Sequence, residues 1–332
     1  MQWLIGEPSF DDAQFRKTKQ LSRGGCTAVW ECYMGTLHLA MKEFSVEGAS
    51  TLSLGDEFGM LAYSPPIAKR KDHSMDLAKH EGGRSLSGDD VRFKRQNRNP
   101  LSQRELTLRE IMYHSSMSHS NIVSVYGYFL GPKNIFLYLE YMPQTLYTFV
   151  RSHSEQSRRL PNDVITSICT QLLDAITYLH SLGHIHRDLK SKNVLMNQDA
   201  TTLKLCDLGS CSNGPDSLQE DELRTLGTTR WSAPELIACN MNGHHDYDPS
   251  IDVWSFGMVL YELVTLKLPY YEVNVLDAKQ HILKGNLPDR SAIPEEHKMF
   301  VGTIYDDCVQ HQAQKRSTAE TLFNRFRHLQ TT

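Results

Sequence analysis

No apolar run in the 332 residues approaches bilayer-spanning length, so the sequence offers no membrane span. The N-terminal MQWLIGEPSFDDAQF lacks the basic patch and apolar core of a secretory signal. Excess positive charge is missing too. The 35 Lys and Arg against 39 Asp and Glu leave a formal net charge of −4, which excludes whole-protein attraction to nucleic acid or an acidic membrane. The seven cysteines contain no C-x-x-C pair, which argues against a zinc ribbon or disulfide framework and for reduced thiols in the cytoplasm. No internal repeat is found. What is present is 40% hydrophobic residues, enough to build a core in one large domain or two lobes. Partners are therefore expected at a site rather than through bulk charge.

Short runs rich in β-branched and aromatic residues crowd the first part of the chain: TAVWECYM, TLHLAMKEF, NIVSVYGYF and NIFLYLEYM. Turn residues between them predict an antiparallel sheet. The rest reads as helical. Ile165, Ile168, Leu172, Ile176 and Leu179 recur at helical spacing between Asn162 and Gly183, with Asn162 or Asp163 as the N-cap and Gly183 as the stop. Val253–Val264 is apolar nearly all round and predicts a helix enclosed by others. Residues 45–100 are rich in Gly, Ser and charge with no sustained period, and predict an insertion, mostly mobile, serving as a solvated linker or as a dock for an acidic surface.

The densest polar cluster in apolar surroundings is GHIHRDLKSKNVLM, which follows the Asn162 helix and presents Asp188, Lys190 and Asn193 before Val194 and Leu195 return as a strand. Farther on, LKLCDLGS puts Asp207 at a strand end beside Gly209. Oxygen ligands from Asn193 and Asp207 suit a hard cation such as Mg²⁺ that also holds phosphates. Fifteen histidines, His244-His245 among them, have no companion ligand at metal-binding spacing and read as surface.

His186-Arg187-Asp188-Leu189-Lys190-Ser191-Lys192-Asn193 matches H-R-D-L-x-x-x-N, Asp207-Leu208-Gly209 matches D-F-G with Leu for Phe, and Ala233-Pro234-Glu235 supplies A-P-E. The chain resembles a protein kinase domain over essentially its whole length, the 45–100 insertion apart. The resemblance implies an α+β, two-lobed fold: a small, mainly antiparallel β N-lobe with one key helix and the hinge over 1–142, and a larger helical C-lobe over 143–332.

It also implies roles. Asp188 accepts and orients the substrate hydroxyl, Lys190 offsets charge on the γ-phosphate of ATP, and Asn193 and Asp207 hold Mg²⁺. LAMK makes Lys42 the ligand of the α- and β-phosphates, with Glu110 as its partner and Glu105 as the rival. Val29, Ala40 and Leu195 match the apolar positions around adenine, Leu139 the position that limits pocket depth, and Glu140 and Met142 the hinge backbone. His186 and Leu208 read as packing residues. In the C-lobe, Asp252 braces the catalytic loop and Arg316 pairs with Glu235.

Lys190 and Thr228 resemble the serine/threonine form, so the implied partners are proteins with Ser/Thr acceptors, and Trp231 before SAPE looks like the tyrosine-kinase-like group. Dual specificity and a non-catalytic scaffold remain the alternatives. Arg187 beside Asp188 implies a phosphate acceptor in the activation segment, with Thr225 ahead of Ser217 and Thr229, placed by an upstream kinase or by the protein itself; the alternative is pairing with Glu222. Cys206 either faces the nucleotide or is a buried inert thiol. Against G-x-G-x-x-G-x-V, the segment LSRGGCTAVW has Ser22 for the first glycine, Gly24 for the second, Thr27 for the third, and Val29 in place. Such a loop would cover a phosphate less closely than three glycines would.

Overall fold

The computed structural model describes residues 4–5, 15–23, 27–46, 103–131, 133–211, 228–242, 247–300 and 304–331. Gly24, Ser217, Glu222, Thr225, His244 and His245 lie outside the described residues, as does 47–102, which contains nearly all of the expected insertion. Its first residues belong to the sheet instead: Ser45 pairs with Asn134, and Val46 donates its N–H to Lys133 O at 2.8 Å.

Six strands form one sheet in the order β1-β5-β6-β4-β3-β2: β1 (Leu4–Ile5), β2 (Phe15–Arg23), β3 (Thr27–Met34), β4 (Leu37–Ser45), β5 (Val125–Leu130) and β6 (Asn134–Glu140). β2 to β6 pair antiparallel, and two-residue β1 runs parallel to β5. Alternation sends Ala40, Phe44, Ile135, Leu137 and Leu139 to one face, where Ile111 of helix α1 (Gln103–Ser116) joins them. Leu39, Met41, Phe136 and Tyr138 pack on the other.

NIVSVYGYF is a strand only from Val125. The preceding residues bind the small sheet of the other lobe: Val123 N donates to Leu205 O at 3.0 Å, Leu205 N to Asn121 O at 2.8 Å, and Asn121 Nδ2 to Leu203 O at 2.8 Å. Backbone groups of an apolar run need partners but not neighbours in sequence, so periodicity could not show this.

After Glu140 the chain enters a helical lobe with a three-stranded sheet, β7 (Gln144–Thr145), β8 (Val194–Met196) and β9 (Leu203–Leu205). Its helices include α2 (Leu146–Glu155), α3 (Asn162–Ser181), α4 (Pro234–Asn242), α5 (Ser250–Thr265), α6 (Val275–Leu283), α7 (Asp306–Cys308) and α8 (Ala319–Thr331). The architecture is the two-lobed α+β one expected. α3 corrects one expectation: its N-cap is Pro161, without a side-chain cap bond. Asn162 is drawn away to His297 Nδ1 (2.7 Å) and Glu296 O (3.2 Å). At the other end Gly183 takes φ +76°, the left-handed turn-off that glycine adopts without strain. α5 is buried from Ile251 to Val264, as an all-round apolar helix must be.

Candidate functional site

Three charged groups from distant parts of the chain meet between the lobes. Lys42, on the strand beside β6, places Nζ 2.5 Å from Glu110 Oε1 and 2.9 Å from Asp207 Oδ1. Burial pushes the Lys42 ammonium toward losing its proton, but Asp207 and Glu110 more than reverse this and hold it charged. The same ammonium holds Asp207 well below the usual carboxylate range, whereas burial pushes Glu110 up against the pull of Lys42. α1 thus carries Glu110 to the lysine, in the place for which Glu105 was the rival.

Gly209 packs closely here: a β-carbon on it would come within 2.9 Å of Glu110 Oε2, so the carboxylate that pairs with Lys42 would have to shift. Leu208, fully buried, donates its backbone N–H to His114 Nε2 at 3.4 Å, and burial brings His114 down to about 3, so the imidazole stays neutral and able to accept. His114 was not singled out by sequence. Only its position one turn after Glu110 could have signalled it.

The second constellation surrounds Asp188. Lys190 Nζ donates to Asp188 Oδ2 (2.5 Å) and to Thr228 Oγ1 (2.8 Å), Thr228 Oγ1 donates to Asp188 Oδ1 (3.2 Å), and Asn193 Nδ2 donates to Asp188 O (2.8 Å) and Oδ2 (3.1 Å). The Asn193 amide hydrogens are spent on Asp188, so its carbonyl oxygen is the atom left for a cation. Asn193 and the ionised Asp207 supply the neutral and anionic oxygens that fit Mg²⁺.

Backbone braces hold this loop. Asp252, fully buried, accepts the N–H of His186 (2.8 Å) and of Arg187 (2.9 Å) and lies 2.9 Å from His180 Nε2. Burial raises the Asp252 carboxyl, yet His180 and these bonds outweigh it and keep the group below its ordinary value. Arg187 takes φ +68° and Asp207 φ +62°, left-handed conformations that cost a non-glycine residue strain and persist only where surroundings impose them. His186, buried, accepts Asp188 N–H at Nδ1 (3.3 Å) and faces Cys206 O through Nε2 (3.1 Å).

Arg187 is enclosed, its guanidinium bonding Ser210 O and Tyr247 Oη (3.0 Å). Tyr247 carried no signal in sequence. Thr229 begins the short 3₁₀ turn through Trp231, beside Thr228.

Between the lobes, Ala40 and Leu139 lie opposite each other in the sheet, with Val29, Leu195 and Cys206 packed against the same cluster. Burial pushes the Cys206 thiol far up, favouring the inert form. Glu140 donates its N–H to Ser124 O (2.9 Å) and pairs with Leu39 at the end of the sheet; part-buried Met142 follows two residues later. Ser22 is exposed in β2 opposite Val29, and Thr27 opens β3 opposite Phe44, so both replace glycine within strands. Glu235 and Arg316 form a two-pronged ion pair.

One buried acid went unremarked within the apolar helix. Glu262 is 1% exposed, accepts Ser191 Oγ at 2.6 Å, and also accepts Trp231 Nε1. Burial pushes it up to about 8 despite these bonds. A carboxyl raised on folding favours the native state below its unfolded value and loses that contribution as pH rises through the folded one. Stability therefore falls from about pH 4.5 to about pH 8 on this group's account. Glu262→Gln keeps an acceptor for Trp231 and turns a donor to Ser191. It is expected to melt level with the parent near about pH 5 and several degrees above it near about pH 8.5. Melting below the parent at both pH values would contradict this reading.

The protein kinase domain profile matches residues 86–326. Lys42 and Leu21–Val29 precede that span, so Lys42 is tied to the site by its contacts with Glu110 and Asp207. Serine/threonine-protein kinase PAK mbt of Drosophila melanogaster is 30% identical over 243 residues, 72% of this chain and 36% of that protein. SULU, a serine/threonine-protein kinase of Caenorhabditis elegans, is 34% identical over 221 residues, 65% of this chain and 21% of its own. Human serine/threonine-protein kinase PAK 4 is 29% identical over 243 residues, 72% of this chain and 39% of its own. The chain thus spans about two fifths or less of these relatives. Their names add nothing for the tyrosine-kinase-like group suggested by Trp231.

Proposed function

This chain belongs to the protein kinase domain family, and from that membership we propose that it is an ATP-dependent protein serine/threonine kinase, moving the γ-phosphoryl group of ATP to Ser and Thr hydroxyls of protein substrates. The observation that carries the proposal is the Asp188 carboxylate held by Lys190, Thr228 and Asn193 in a chain that also keeps Lys42 paired with Glu110 and Asp207.

In this reading Asp188 orients the acceptor hydroxyl and takes its proton as the new O–P bond forms and the bond to the ADP oxygen breaks. Lys190 offsets charge on the moving phosphoryl group, and Lys42, positioned by Glu110, holds the α- and β-phosphates. Val29, Ala40, Leu139 and Leu195 enclose the adenine, with the backbone of Glu140 and Met142 at its edge. Asn193 and Asp207 would hold Mg²⁺, which when bound neutralises phosphate charge. Ser22 is proposed to lie near the phosphates; Gly24, assigned with it from the sequence, is outside the described residues.

Thr225 is the proposed regulatory acceptor, phosphorylated by an upstream kinase or by the protein itself. Arg187 Nη2, buried and without a hydrogen-bond partner among the described residues, supports that role. No helix of the described residues is long and apolar enough to cross a membrane. Work in cytoplasmic signalling is proposed from the free thiols of Cys32, Cys169, Cys206, Cys211 and Cys308.

Incubation with labelled ATP, Mg²⁺ and a generic protein substrate, followed by phosphoamino-acid analysis, tests the proposal. Label on Ser and Thr that chelation abolishes is expected; no label, or label confined to Tyr, overturns it.

A further inference from the structure

We infer that His38 is a positioning residue for the nucleotide: stacked on Tyr141, it holds the start of the hinge against the adenine wall. The inference rests on the kinase reading above and adds to it a residue that lies outside every motif of the sequence. A column of four planar groups crosses the sheet at its hinge end. Arg16 of β2 lies opposite Tyr33 of β3, with its guanidinium carbon 5.5 Å from the ring centre. Tyr33 lies opposite His38 of β4, with ring centres 4.3 Å apart and planes 10° from parallel. His38 stacks in turn on Tyr141, at 3.8 Å and 25°. Leu39 pairs with Glu140, so Tyr141 arrives beside His38 as the chain leaves the sheet. The edge of the imidazole is fixed as well: His38 Nε2 lies 2.9 Å from Glu31 Oε1, which also accepts the Tyr33 hydroxyl at 3.4 Å. A flat side chain gripped on both faces and at one edge has little freedom to turn.

The column shares its face with the adenine wall. Across β3 and β4, Tyr33 opposes His38, Glu31 opposes Ala40 and Val29 opposes Lys42, and directly opposed residues point to the same side of a sheet. Tyr141 packs against the cluster that contains Ala40, Leu139, Val29 and Leu195. It stands between Glu140 and Met142, and in the proposed function their backbone lies at the adenine edge. Burial, with Glu31 and Tyr33 adding to it, pushes the Tyr141 hydroxyl up, so the ring stays neutral where it meets the imidazole. A hinge held from outside in this way loses less freedom when the base binds, which raises nucleotide affinity without any contact to the transferred phosphoryl group.

The test is nucleotide binding by the whole chain, read with a fluorescent ATP analogue, beside phosphoryl transfer to a generic protein substrate. H38A is expected to raise both Kd for the nucleotide and KM for ATP about three- to tenfold, the size of one aromatic contact, with kcat within about twofold. H38F restores the stack and is expected to bring both constants back to within about twofold of the parent. Y141A is expected to weaken binding similarly, and H38A added to Y141A to change nothing further, because His38 acts through that ring. Nucleotide affinity unmoved by H38A, a fall in kcat at unchanged KM, or additive losses in the double variant would each overturn the inference and leave the kinase reading intact. A parent that binds the nucleotide but transfers nothing overturns the kinase reading, and the inference then stands or falls on Kd alone. His38 is only part-buried, so its truncation leaves no closed cavity. Should H38A still lose cooperative melting, H38L, which fills the space without a ring, is read in its place with the same expectation.

Discussion

Asp188→Asn is expected to lower kcat by about 10³-fold, within the range that a positioned proton acceptor contributes, while KM for ATP and the melting temperature stay close to the parent's. The substitution is nearly isosteric, and the donors around it can be kept. The new amide oxygen accepts Lys190 and Asn193, and the Thr228 hydroxyl, now donating to Asp188 Oδ1 at 3.2 Å, rotates to accept the amide hydrogen. What is lost is the capacity to take a proton at neutral pH. In the proposed reading nucleotide binding falls to other groups, Lys42 with Glu110 and the walls from Val29, Ala40, Leu139 and Leu195, none of which the change touches. Single-turnover transfer measured alongside ATP binding separates the two effects. A kcat within about threefold of the parent would remove Asp188 from the mechanism.

Arg316→Ala is expected to cost about 3–5 kcal/mol of stability, a fall in melting temperature on the order of 10 °C. The Arg316 side chain is fully enclosed, bonds both oxygens of Glu235, donates to Gln310 O at 2.8 Å and Ser250 O at 3.1 Å, and lies 5.1 Å from the Trp254 ring centre. Alanine would strand the Glu235 carboxylate and two carbonyls and leave a cavity against Trp254. Water reaches Glu235, whose side chain is 19% exposed, more readily than the carbonyls, so the lower half of the range is the better expectation. Arg316→Lys keeps the charge but loses the planar fork, and should fall between the two. Denaturant midpoints for the three proteins check the order. An alanine variant within about 1 kcal/mol of the parent would mean the pair shapes the lobe without stabilising it.

The two largest effects fall on residues of different legibility. Asp188, Lys190 and Asn193 stand within six consecutive positions, and a short loop can present such a set with little help from the rest of the chain. Glu110 and Asp207 stand 68 and 165 positions after Lys42. Their meeting depends on a sheet, a helix packed on it and a strand from the other lobe, so only the surrounding motifs pointed to them. The N-cap of α3 and the start of β5 were misread because side-chain and backbone groups took partners far away, His297 for Asn162 and Leu205 for Val123.

By itself, then, the sequence determined that strands precede helices, the contiguous polar loop and the buried central helix, because local spacing and polarity act over a few residues, while the two-lobed class followed from the resemblance its motifs carry. The tertiary structure alone decided that Asp207 joins Glu110 at Lys42, that Gly209 packs against Glu110, that Arg187 is enclosed against Ser210 and Tyr247, and that Glu262 is a buried acid joining the catalytic loop to Trp231. The physical reason is common to all four. Burial and electrostatic pairing are properties of neighbours in space, and a residue's charge state is set by what the fold brings within a few ångströms of it.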